Sequence, residues 1–126
     1  MLDHVSITVD DLEAAVRFYD AVMGVLGHDR VHLTDKAAGY GTRNSAADDG
    51  HCYLSVVAVS ARAADDRHWA FRARSRPEVD QFHAAALAHG GRDDQGVGER
   101  REYHDSYYAA FVLDPAGNRI EAVTHR

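Results

Sequence analysis

"HWAFRA", residues 68–73, is the stretch on which the reading of this chain turns. Its side chains alternate: Trp69, Phe71 and Ala73 share one face while His68, Ala70 and Arg72 share the other, the period of a strand with one side on a core. Immediately afterwards Ser75 and Glu78 make a capping-box pattern and Pro77 stands in a first helical turn. Val79, Phe82, His83, Ala86 and Leu87 then recur at helical spacing up to Gly90 and Gly91. A strand feeds a helix.

The same order occurs once before. Sliding the chain by 64 residues superposes His4 on His68, Phe18 on Phe82, Ala21 on Ala85, Gly27 on Gly91 and Asp29 on Asp93. "HVSITV", residues 4–9, alternates with Val5, Ile7 and Val9 on one face. Asp10 with Glu13 predicts a helix start, and Leu12, Ala15, Val16, Tyr19, Val22, Met23 and Leu26 form the apolar stripe before Gly27. Three strand-like segments follow each helix, the last two of the second set joined by "DPAGN", where Asp114, Pro115 and Gly117 are the residues a tight turn uses. Each half reads βαβββ.

The predicted fold is therefore α+β, one domain over residues 1–126, with a first module at about 1–59 and a second at about 66–126 joined by "SARAADD". A module of this size leaves one face of its sheet uncovered. Two modules side by side would enclose a curved mixed sheet and bring the inward faces of equivalent strands to one place.

Composition narrows the function. With 45% apolar and 27% charged residues the chain can bury a core. Its 14 Lys and Arg are scattered among 20 acids for a net charge of −6, so no basic stripe offers a footprint for nucleic acid. No apolar run is long enough for a bilayer and no leader is evident, so the expectation is a cytoplasmic protein with no membrane partner. Cys52, the single cysteine, excludes an internal disulfide and a cysteine zinc cage, and reads as a small buried residue.

If the sheet curls round a cavity, its polar faces look into it. On the first strand that face carries His4, Ser6 and Thr8; on its repeat, His68, Ala70 and Arg72; on the last strand, Arg119, Glu121 and Val123. His4, His68 and Glu121 supply two imidazoles and a carboxylate, the donor set for a divalent first-row metal with positions left open to substrate. From the residues alone a solvent-facing strand, a hydrogen-bonded core histidine and a surface acid explain the same side chains.

"DHVSITVDDLEAAVRFYDAVMG" (3–24), "HWAFRARSRPEVDQFHAAAL" (68–87) and "FVLDPAGNRIEAV" (111–123) together resemble the vicinal oxygen chelate superfamily, which includes glyoxalases, extradiol dioxygenases, fosfomycin resistance proteins and bleomycin-binding proteins. The resemblance implies a metal-binding cup whose ligands fall on His4, His68 and Glu121. It also implies a divalent ion (Zn, Fe, Mn or Ni), a homodimer, and a small-molecule substrate with adjacent oxygens. The implied function is a glyoxalase-like lyase or isomerase. The alternatives are an extradiol-type dioxygenase, which uses the same donors with Fe(II), and a drug-binding protein without catalysis. Glyoxalase I proteins carry a fourth, acidic ligand on the last strand of the first module. Aligning Gly50 with Gly117 sets Leu54 opposite Glu121, flanked by Tyr53 and Ser55, so that acid is missing.

Glu121, Tyr108 and Arg72 are the expected catalytic residues: the carboxylate as ligand, Tyr108 as a hydroxyl from "EYHDSYY", and Arg72 as partner for an anionic group. Tyr103, His104 and Tyr107 belong to the same cluster. Arg119, Arg43 and Asn44 are further candidates for approach to a ligand.

Overall fold

The structure, a computed structural model, describes residues 2–42, 52–60 and 67–126. Arg43, Asn44 and residues 61–66 of the predicted connection lie outside the described residues. Both halves are βαβββ. The first comprises β1 (His4–Val9), α1 (Leu12–Val25), β2 (Arg30–Leu33), β3 (Ala37–Thr42) and β4 (Cys52–Ala58). The second comprises β5 (His68–Arg72), α2 (Arg76–Ala88), β6 (Arg92–Glu99), β7 (Tyr108–Leu113) and β8 (Arg119–Thr124).

The strands form two four-stranded sheets, in the orders β1-β4-β3-β2 and β5-β8-β7-β6, with the first strand of each module parallel to the last. The curved mixed sheet expected of paired βαβββ modules is built as two sheets, one per half. Among the described residues no ladder joins the two, because each module keeps its first strand as an edge and packs its helix inward. α1 lies on β2, β3 and β4, α2 on β6, β7 and β8, and the helices pack on each other, giving the layers sheet, helix, helix, sheet. One core runs through all four layers, from Ile7 and Val9 through Phe18, Val22, Val79 and Phe82 to Val112 and Ile120.

The helix ends explain the element boundaries. α1 is capped by Asp11, whose carboxylate accepts the Ala14 N–H at 3.0 Å; the expected Asp10 lies one residue outside. Glu13, instead of completing a capping box, takes Arg17 at 3.0 Å. Gly27, at φ 82°, turns the chain after α1. α2 starts at Ser75 as expected, and Glu78 reaches back to the Arg74 N–H at 2.5 Å and to its guanidinium at 2.8 Å.

A polar clamp locks the modules together. Asp114, fully buried, accepts the Tyr19 hydroxyl of α1 at 2.7 Å and the N–H groups of Ala116 and Asn118 at 3.0 and 2.7 Å. The Asn118 amide donates to the Thr8 carbonyl of β1 at 3.0 Å. Beyond this point the free edges of β1 and β5 pass in opposite senses: His4 and Val5 share a cleft with Trp69–Arg72, and Ser6–Thr8 share a hollow with Arg67 and Trp69. Cys52, expected inside, is exposed at the start of β4, where the strand has just begun to pair with Thr42.

Candidate functional site

β8 is an inner strand, paired along both edges and buried from Ile120 to Thr124, and Glu121 on the face away from α2 is 1% exposed. A buried carboxylate needs partners. Tyr107 donates its hydroxyl to Oε1 at 2.5 Å, and Oε2 stands 3.3 Å from Nε2 of His68, whose ring is half-exposed on the neighbouring strand. The register brings this about: Ala70 pairs with Glu121, and His68 sits two residues earlier on the same face. Phe111, paired with Glu121 from the other side, closes the wall, its ring 6.3 Å from the imidazole. Burial, then the bond to Glu121, raises the Tyr107 phenol well above its ordinary value, so it stays a protonated donor.

Tyr107 arrives from the turn between β6 and β7. The turn is closed by the Arg100 N–H on the Tyr107 carbonyl at 2.7 Å, and Ser106 adopts φ 64°, the one non-glycine positive φ among the described residues. Arg100 stacks its guanidinium over Phe111 at 5.7 Å. Tyr108, the expected catalytic tyrosine, points the other way: it pairs with Thr124, donates to Asp80 of α2 at 2.7 Å and carries Arg76 over its ring. Strand parity counted back from the Asp114 turn identifies Tyr107, since residues 111, 109 and 107 share the Glu121 face.

The structure brings together two of the three expected ligands. Among the described residues no three His, Cys, Asp or Glu side chains converge to hold an ion. His4 lies on the other sheet, in the cleft that Arg72 also lines, and Arg72 is four residues, about 13 Å of strand, beyond His68. The duplication led to the expectation of His4 beside His68 within one chain; here His4 lines a cleft with Trp69–Arg72, and Ser6–Thr8 line a hollow with Arg67 and Trp69. The His4 ring stands with Nδ1 2.7 Å from the Asp3 carboxylate, the kind of partner that orients an imidazole.

The donors present fit a divalent metal. Two atoms bound at 2.0–2.2 Å to one tetrahedral ion stand about 3.4 Å apart, and the His68 and Glu121 atoms stand at 3.3 Å. The register also corrects the missing acid. Ser6 pairs with Ser55 as Ala70 pairs with Glu121, so Ser55, not Leu54, occupies the position equivalent to Glu121. Arg119, the other candidate on this face, is held by Asp94 at 2.7 Å.

The doubled βαβββ has known relatives. The family profile described as the Glyoxalase/Bleomycin resistance protein/Dioxygenase superfamily matches residues 1–122. The chain belongs to this superfamily. Among solved structures, a glyoxalase/bleomycin resistance protein from Albidiferax ferrireducens T118 is 29% identical, with a TM-score of 0.81 over 98% of this chain and 97% of that one. A glyoxalase-related enzyme from Fulvimarina pelagi is 19% identical (TM-score 0.74; 98% and 86% covered), and lactoylglutathione lyase from Agrobacterium tumefaciens 20% (0.67; 98% and 92%). The last two show the fold. No curated relative matches the chain. No helix among the described residues is long and apolar enough to cross a membrane.

Proposed function

We propose that this superfamily member is a metal-dependent enzyme acting on a small molecule with adjacent oxygens, as a glyoxalase-like lyase or isomerase. Its centre is completed between two copies of the chain, His68 and Glu121 coming from one and His4 from the other. The observation that carries this reading is the 3.3 Å pairing of His68 Nε2 with a carboxylate that is 1% exposed and anchored by Tyr107. The Asp3 bond to His4 supports the remaining ligand, and the free edges of β1 and β5 supply surfaces a second copy would cover.

His4, His68 and Glu121 would hold the ion, which when bound supplies Lewis-acid stabilisation of charge developing on two neighbouring substrate oxygens. Tyr107 fixes Glu121 so that Oε2 faces His68. The Phe111 ring beside the imidazole keeps water from one side of the centre. Because serine stands at position 55, proton transfer by an acid of the first module, as in glyoxalase I, is not part of this mechanism.

Elemental analysis of the natively purified protein, with its mass from light scattering, tests the reading. The expected result is a dimer with one divalent ion per chain and an ion-free His68→Ala variant; no ion in either protein overturns it. A second reading, ligand binding without chemistry, is favoured by one feature. The cleft beside His4, about 240 Å³, is walled by Trp69, Phe71, Tyr40, Leu54 and Met23. That reading expects His68→Ala to leave ligand binding intact.

A further inference from the structure

We infer that Arg100 is a specificity-determining residue that receives a carboxylate carried by the substrate, set apart from the oxygens held at the centre. The inference rests on the reading of His68 and Glu121 as metal ligands. Its starting point is strand parity. Gly96 pairs with Phe111 and Phe111 with Glu121, so Gly96, Gly98 and Arg100 lie on the face where the imidazole and carboxylate stand. The two glycines offer no side chain there, and Arg100 folds back over the strand. Its Nη2 donates to the Gln95 carbonyl and, at 3.3 Å, to that of Gly96, at the irregularity where the register of β6 on β7 shifts.

The guanidinium is held in place but has no anion. Nε is buried without a hydrogen-bond partner, and Nη1 makes no hydrogen bond among the described residues. Neighbouring arginines differ. Arg119 pairs with Asp94, Arg74 with Glu78, and Arg76 and Arg101 share Glu99. On the face of Arg100 the two acids are already engaged, Glu121 by Tyr107 and His68, and Asp94 by Arg119. An arginine serving the fold alone would be paired as these are, since a buried donor left unmet is costly.

Phe111 relates this cation to the centre. Its ring lies 6.3 Å from the His68 ring and 5.7 Å from the guanidinium carbon, so one short molecule can span both. The anchored Nη2 and the ring beneath leave little side-chain freedom to lose on binding, and a fixed, planar cation suits a carboxylate. The substrate class is therefore a short-chain acid with adjacent oxygens at one end and a carboxylate at the other. Arg72, the other guanidinium on this face, is exposed and stands farther along β5.

The test uses the native metal-loaded protein and two probes alike at the oxo-acid end, 2-oxoglutarate and 2-oxopentanoate, of which only the first has a far carboxylate. Calorimetric titration is expected to show 2-oxoglutarate bound ~tenfold more tightly, the gain of one charge-assisted hydrogen bond. Arg100→Met should bring the two probes within twofold of each other while metal content, mass and 2-oxopentanoate binding stay unchanged. Arg100→Lys, which keeps the charge, should restore part of the preference, whereas a packing role would not distinguish the probes. A metal-loaded parent without preference, or a preference that survives in Arg100→Met, overturns the inference and leaves the metal reading standing. A parent that holds no metal and binds neither acid overturns both.

Discussion

Glu121 is placed by its neighbours before it is placed by any ion. Its oxygens divide their partners, Tyr107 on one and His68 near the other, and a buried carboxylate deprived of one partner keeps its desolvation cost. Tyr107→Phe is expected to lower stability by about 1.5–3 kcal/mol in urea unfolding, whereas Tyr103→Phe, at an exposed ring, should change it little. On the proposed function, the Asp3 carboxylate 2.7 Å from His4 Nδ1 orients a metal-binding imidazole. Asp3→Asn should weaken metal affinity by roughly 10–100-fold in a competition titration without altering the fold. The shared face of His68 and Glu121 was legible in the sequence through alternation, since each sits on the polar side of its strand, while their reading as ligands came from the family resemblance. The tyrosine was readable only by alternation counted back from the Asp114 turn, which separates Tyr107 from Tyr108, whereas Ser55 in place of Leu54 needed the register of β1 on β4.

At the scale of elements, the two helices answer to different constraints despite their common pattern. Gly27 and Gly91 coincide in the repeat, yet Gly27 serves a positive φ whereas Gly91 serves contact. A Cβ on Gly91 would meet Phe18 at 2.4 Å and the carbonyl oxygens of Ala86 and Leu113 at 2.8 and 3.0 Å. Gly91→Ala is expected to cost about 1–3 kcal/mol in denaturant unfolding as an overpacked junction, and Gly24→Ala, with open space around it, should be tolerated. The start of α2 adds a pH dependence. The Arg74 hydrogen bond holds the Glu78 carboxyl below its ordinary value of 4.5, so its contribution is complete above that value and lost as pH falls through the depressed one. The stability gap between the parent and Glu78→Gln should therefore be widest near neutrality and close below pH 4.5 in a pH series of unfolding curves. Strands, helices and the Asp114 turn were all readable from period and punctuation. Asp11 displaced Asp10 because the first strand runs to Val9 and the cap falls one residue later than the acid pair alone implies.

For the whole molecule, the duplication was visible in the sequence but its assembly was not. Periodicity says that each strand has a polar and an apolar face; it does not say which way one module's edge passes the other. The helices between the sheets and the Asp114 clamp set that relation, carrying His4 toward Arg72 and away from His68. The proposed centre, drawing on both modules, therefore takes its residues from two chains. Subunit complementation measures this directly: His4→Ala and His68→Ala chains, each carrying a different affinity tag, are co-expressed and the mixed dimer is isolated for elemental analysis. The account predicts no bound ion in either variant alone and one ion in the mixed dimer, where one chain supplies His4 and the other His68 and Glu121. A mixed dimer without metal, beside a parent that holds one ion per chain, would contradict it.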